Sequence, residues 1–103
     1  MHPPRLQAVL HAPTASALER ARNNASNILG RAPETEVRII ANAQAVMAAI
    51  ESEPHEQDAR TYLCPITLKK NNCKCPERFN QADGPAALWL LELQQKGWFY
   101  IRA

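Results

Sequence analysis

Short apolar segments alternate with helical patterns along this chain, and this alternation constrains its fold more than any other feature. Segments rich in Val, Ile, Leu and aromatic residues predict strands at residues 6–12, 36–43, 59–64 and 98–102, with a short one at Arg78–Ala82. Strands separated by helices pair in parallel and bury their faces under those helices. The pattern therefore predicts one α/β domain over residues 1–103, with a mostly parallel sheet of about five strands.

Four helices are predicted between these strands. Ser16 and Glu19 have the spacing of a capping box, with Ser16 as the N-cap, and Gly30 is typical of the helix end. The second helix should end before Pro54, since the residue preceding a proline disfavours helical geometry. Pro65 suits the first turn of the third helix, and the fourth runs from "GP" at 84–85 to the glycine at 97.

Charge and composition exclude several classes of protein. The net charge of +2 is too small to indicate a nucleic-acid partner, and no apolar run is long enough to span a bilayer. The first residues lack the pattern of a secretory leader, and three cysteines are an odd number for a disulfide framework. Three scattered glycines form no phosphate-binding loop. We expect a cytoplasmic protein with reduced thiols, no membrane association and no cofactor.

Polar residues and one cysteine follow three of the predicted strands. His11 and Thr14 come at the end of the first strand, Asn42 and Gln44 follow the second, and Cys64 and Thr67 follow the third. Ligands of open parallel sheets bind beyond the carboxyl ends of the strands. We therefore expect Cys64, His11 and Asn42 to converge at one edge of the sheet.

The position of Cys64 just before a helix has a chemical consequence. Unpaired N–H groups at a helix start favour an anion, which lowers the pKa of a thiol and makes it a usable nucleophile. Pro65 removes one of these donors but leaves those of Ile66 and Thr67. The alternative is a small buried apolar residue, since free cysteine is among the most buried residue types.

Cys73 and Cys75 raise the alternative of a metal site. Zinc requires about four ligands at ~2.0–2.3 Å, and two thiols are too few for a structural site. If residues 65–72 are helical, Cys73 lies about 12 Å from Cys64, too far to share an ion or to form a disulfide. We expect no metal site and interpret the two cysteines as loop thiols. The weaker alternatives are a resolving or second sulfur-accepting role for them and zinc bound across a subunit interface.

Four short motifs follow one another along the chain: "NNASNIL" (23–29), similar to an N-x-x-N-L helix; "EVRIIANAQAV" (36–46); "CPITL" (64–68), similar to C-x-N-T-L; and "KGWFYIRA" (96–103), similar to a G-W-x-Y-I-R ending. In this order they resemble the DsrE/DsrF-like family of small sulfur-oxidation and sulfur-relay proteins, and within it the short single-domain members. This sequence departs from the family pattern at Pro65 and Ile66, where Ile66 replaces an asparagine. The pair Cys73 and Cys75 is also outside that pattern.

The resemblance implies a three-layer α/β/α fold and symmetric trimers or hexamers. It also implies that Cys64 accepts sulfane sulfur as a persulfide from a donor protein and passes it to an acceptor protein. Thr67 would steady the anion, while His11 and Asn42 would shape the substrate pocket. The alternative is a non-catalytic small-ligand-binding or assembly module of the same fold, in which Cys64 is inert.

Overall fold

Five strands alternate with four helices in the computed structural model, which describes residues 5–103. The strands are β1 (Gln7–Ala12), β2 (Glu36–Ala41), β3 (Thr61–Leu63), β4 (Asn80–Gln81) and β5 (Phe99–Arg102). The helices are α1 (Ala15–Arg31), α2 (Gln44–Glu51), α3 (Pro65–Lys70) and α4 (Ala86–Gln95). All five predicted strand segments and all four predicted helices are therefore present.

The strands form one sheet in the order β4-β3-β2-β1-β5, and every pairing is parallel. The sheet grows in one direction from β1 to β4, and the chain then returns to the far edge to add β5. Connections between parallel strands are right-handed, and the connection from β4 to β5 runs in the opposite direction to the earlier ones, so α4 lies on the opposite face of the sheet from α1 and α2. The helices α1 and α2 pack against each other. This is the three-layer α/β/α fold.

The two central strands hold the core. Val9, Leu10, Ile39 and Ile40 are fully buried because helices cover both faces of the sheet where β1 meets β2. Leu63 of β3 is buried to the same extent. Each such side chain contributes roughly 2–3 kcal/mol relative to an exposed one, so these strands provide a rigid base for the loops at their ends.

The start of α1 differs from the prediction. Thr14, not Ser16, is the N-cap: its backbone is extended and its hydroxyl accepts a hydrogen bond of 3.1 Å from the N–H of Ala17. With Thr14 in that place the third helical position is Ala17, so no capping box with Glu19 forms. Gly30 was expected to end the helix, but it lies inside α1, whose final turn is closed by the N–H of Ala32 bonding to Ile28.

Two strands and one helix are also shorter than predicted. The second strand ends at Ala41 because Ala43 turns the chain with a positive φ of 49°. Residues 59–60 belong to a single 3-10 turn that precedes β3. The third helix ends at Lys70, since Asn72 adopts the left-handed conformation and Cys73 bonds back to the carbonyl of Leu68, as in a Schellman motif.

No helix in the described part of the chain is long and apolar enough to cross a membrane.

Candidate functional site

Backbone hydrogen bonds join the carboxyl ends of β1, β2 and β3. The N–H of Asn42 donates to Ala12, and the N–H of Cys64 donates to Ala41, so each residue continues the ladder one step beyond its strand. These two bonds place Asn42 and Cys64 side by side at one edge of the sheet, as the sequence predicts for strand-end residues of a parallel sheet.

A cleft of about 810 Å³ opens at this edge, between α2 and α3. One face of α2 lines it with residues three or four positions apart: Gln44, Met47, Ala48 and Glu51. The opposite wall comes from α3 and includes Ile66, Thr67 and Lys70, and the start of α4 closes one end with Pro85, Ala86 and Ala87. Cys64 and Asn42 also line this cleft.

Cys64 is the N-cap residue of α3 and is 5% exposed. Burial raises the pKa of its thiol, but hydrogen bonding from the backbone N–H groups of Thr67, Ala86 and Ile66 and from the Thr67 hydroxyl outweighs burial, so the pKa lies below its ordinary value. The neutral thiol makes no regular capping bond to α3.

The local sequence explains this environment. Pro65 occupies the first helical position, where no N–H is needed. The N–H groups of the next two residues, Ile66 and Thr67, are among those that lower the pKa of Cys64. The third donor, Ala86, begins α4 twenty-two residues later and was not identified from the sequence. Its only sequence signal is the helix start after Gly84, a residue with a positive φ of 85°.

Asn42 connects the cleft to His11. The Oδ1 atom of Asn42 lies 3.0 Å from Nε2 of His11, and Nδ1 of His11 lies 2.7 Å from the Tyr100 hydroxyl. A carbonyl oxygen only accepts, so Nε2 of His11 donates to Asn42. His11 itself is not among the described residues that line the cleft, and its hydrogen bond to Asn42 connects it to a residue that does.

Thr67 bridges the two walls of the cleft. Its hydroxyl accepts a hydrogen bond of 3.2 Å from the backbone N–H of Ala43, which begins the turn into α2. Ala43 has φ 49° and ψ −132°, a conformation that strains any residue with a Cβ. The hydrogen bond to Thr67 helps to hold this turn in place.

The other two thiols lie away from the sheet edge. Sγ of Cys73 is 3.8 Å from Sδ of Met47, so Cys73 packs against a residue that lines the cleft, whereas Sγ of Cys75 contacts the Pro76 carbonyl. Burial raises the pKa of Cys75. All three cysteines are free thiols, and residues 5–103 contain no group of three or more His, Cys, Asp or Glu side chains arranged to hold a metal ion.

Comparison of the sequence with known protein families and with curated proteins finds no match to this chain.

Proposed function

We propose that this protein is a sulfur carrier, or sulfurtransferase-like protein, of the DsrE/DsrF-like kind, and that Cys64 is the residue that carries the sulfur. The observation that carries this proposal is the lowered pKa of Cys64 in a cleft at the carboxyl edge of the sheet. A thiol with a lowered pKa is more ionised at a given pH than an ordinary cysteine, and the thiolate is the nucleophile in sulfur exchange.

The proposed reaction has two balanced steps. The Cys64 thiolate attacks the terminal sulfur of a donor persulfide, R–S–SH, forming Cys64–S–SH, and the electron pair of the broken S–S bond leaves with R–S⁻. An acceptor thiolate then attacks the same terminal sulfur, takes it as a new persulfide and releases the Cys64 thiolate. No net oxidation or reduction occurs, and no cofactor is required.

The residues around Cys64 have distinct roles in this proposal. The N–H groups of Ile66, Thr67 and Ala86 stabilise the thiolate before attack and after release. Thr67 and Asn42 line the substrate side of the cleft, and His11 positions the Asn42 amide. Ile66 occupies the position where the family pattern has an asparagine; it is 46% exposed and adds an apolar side chain to the α3 wall of the cleft.

A second candidate function is supported by the size of the cleft. About 810 Å³ is far more than one sulfur atom requires and lies within the range of small-ligand pockets. Cys64 is also almost entirely buried. In this second proposal the cleft binds a small metabolite and Cys64 is an inert part of its floor.

Alkylation kinetics distinguish the two candidates. The protein with Cys73→Ser and Cys75→Ser retains Cys64 as its single thiol and is treated with iodoacetamide across a pH series. The sulfur carrier should be alkylated with a pH midpoint below that of a free cysteine. Slow alkylation at every pH of the folded protein, with a rapid reaction after denaturation, would favour the inert thiol and overturn the carrier.

The proposal extends to a cytoplasmic homo-oligomer, a trimer or a hexamer. Support comes from β5, an edge strand whose Phe99 is 64% exposed and whose Ile101 is 41% exposed. The molar mass of Phe99→Glu, measured by light scattering, tests this assembly. Leu91→Glu is the control, because Leu91 on α4 is as exposed as Phe99. Oligomers that are lost only in Phe99→Glu support it, and a monomeric wild-type protein contradicts it.

A further inference from the structure

A second, smaller pocket of about 260 Å³ lies at the opposite edge of the sheet from Cys64. Its walls come from the start of β2, the turn before β3 and the residue before β5. Two arginines, Arg38 and Arg60, line it together with Thr35, Glu36, Tyr62 and Trp98. None of these residues belongs to the cleft around Cys64.

The guanidinium group of Arg38 is surrounded by aromatic rings. Its central carbon lies 4.5 Å from the ring centre of Trp98, 5.3 Å from that of Trp89 and 5.4 Å from that of Tyr62. Rings attract the faces of a guanidinium, whereas its five N–H donors lie in its plane and can donate to an acceptor at its edge. Within residues 5–103 the Arg38 side chain forms no hydrogen bond or ion pair to satisfy them.

Arg60 places a second positive charge beside the first. Thr61 is paired with Ile39, and the residues that precede them, Arg60 in the 3-10 turn and Arg38 in β2, both line the pocket. Two positive charges that line one pocket repel each other, and an anion bound between them would offset that repulsion. Arg60 donates only to the Gln57 side chain, a neutral group, among the described residues.

The acidic residues nearby do not neutralise this pair. Glu36 lines the pocket, but its carboxylate accepts from Arg5 and Gln7. Asp58 lies two residues before Arg60, yet it is buried and paired with Arg22 and Arg78. The two arginines of the pocket therefore lack a carboxylate partner within residues 5–103.

We propose that this pocket binds a small oxyanion, a phosphate-type group or a short carboxylate, between Arg38 and Arg60. The guanidinium edge of Arg38, already oriented by the rings, donates from one side, and Arg60 donates from the other. The hydroxyl of Thr35, which makes no side-chain hydrogen bond in the described chain, offers a further donor. A volume of about 260 Å³ is large enough for an anion of this size.

Intrinsic fluorescence gives a direct measurement of binding. The chain contains two tryptophans, Trp89 and Trp98, and both contact the Arg38 guanidinium. Inorganic phosphate and succinate are titrated separately, each against chloride at the same ionic strength. We expect a saturable change in tryptophan emission with at least one of them, and the anion that saturates identifies the chemical class.

Variants separate a built site from general charge attraction. Arg60→Gln removes one donor of the pocket without touching the aromatic stack and should weaken binding about tenfold. Arg20→Gln, an exposed arginine on α1, removes the same charge elsewhere and should leave binding unchanged. Arg38→Gln should also lose binding. If Arg38→Gln does not fold, Arg60→Gln alone tests the site. The proposal is overturned if neither anion gives saturation, or if Arg60→Gln and Arg20→Gln bind equally.

Discussion

The backbone N–H of Ala43 donates a hydrogen bond of 3.2 Å to the Thr67 hydroxyl, and this bond joins the two walls of the cleft beside Cys64. Ala43 is strained, and Thr67 also contributes to the lowered pKa of Cys64. One hydroxyl therefore links the shape of the cleft to the ionisation of its thiol.

Ala43→Gly should stabilise the protein. Relief of ~1–3 kcal/mol of backbone strain exceeds the ~0.5–1 kcal/mol entropic cost of a glycine, so we expect a gain of about 1 kcal/mol in the free energy of unfolding. Urea denaturation measures this change. Ala48→Gly, within α2, is the control and should lose about 1 kcal/mol. Equal losses in the two variants would show that Ala43 is not strained.

Thr67→Val should raise the pKa of Cys64, because it removes a hydroxyl that favours the thiolate. Thr67→Ser keeps that hydroxyl and should keep the lowered pKa. Both are compared in the protein that carries Cys73→Ser and Cys75→Ser, by thiolate absorbance against pH. If Thr67→Val and Thr67→Ser titrate alike, the hydroxyl has no part in activating the thiol.

The stability that Cys64 contributes should depend on pH. Its pKa is lower in the folded than in the unfolded protein, so the folded state binds fewer protons between those two values and stability rises with pH there. The contribution is fully present above the ordinary thiol pKa of about 8.5 and is lost as pH falls through the folded value.

Chemical denaturation across this pH range tests that dependence. The protein with Cys73→Ser and Cys75→Ser is compared with the same protein carrying Cys64→Ser in addition. Because both proteins lack Cys75, the opposing effect of its raised pKa is absent from the comparison. The difference in the free energy of unfolding should grow with pH in favour of Cys64. A difference that is constant, or that shrinks as pH rises, contradicts the lowered pKa.

Arg78→Ala should weaken the support of α2. Nη2 of Arg78 lies within hydrogen-bond distance of the carbonyls of Ala49, Ile50 and Ser52 at the end of that helix, and Nη1 bonds to buried Asp58 at 2.9 Å. Loss of these bonds should cost about 3 kcal/mol in the free energy of unfolding. Arg20→Ala on the exposed face of α1 is the control, and a similar small loss in both variants would refute this role.

Local sequence patterns were sufficient to predict the sheet and the edge at which Cys64 lies. Alternating periods identify strands and helices, and a parallel sheet brings the ends of β2 and β3 to the same edge, so Asn42 and Cys64 were expected to be neighbours. The strand order was not predictable, because nothing in the sequence of β5 indicates that it returns to β1 instead of extending the sheet beyond β4.

Other features depend on tertiary contacts that no local pattern specifies. The N–H of Ala86 reaches Cys64 only because α4 begins at the same edge, and Arg38 meets Trp98 only because β5 lies beside β1. The prediction of Ser16 as the N-cap of α1 was wrong for another reason. Thr14 and Ser16 are both good capping residues, and the end of β1 at Ala12 determines which of them is used.

The central claim is that Cys64 carries sulfane sulfur, and intact-mass measurement after incubation with a small-molecule persulfide donor tests it most directly. The wild-type protein and the variant with Cys73→Ser and Cys75→Ser should each gain the mass of one sulfur atom. That gain should be released by an acceptor thiol, and Cys64→Ser should show none. A gain of one sulfur that persists in Cys64→Ser, or that disappears when only Cys73 and Cys75 are replaced, would contradict the assignment.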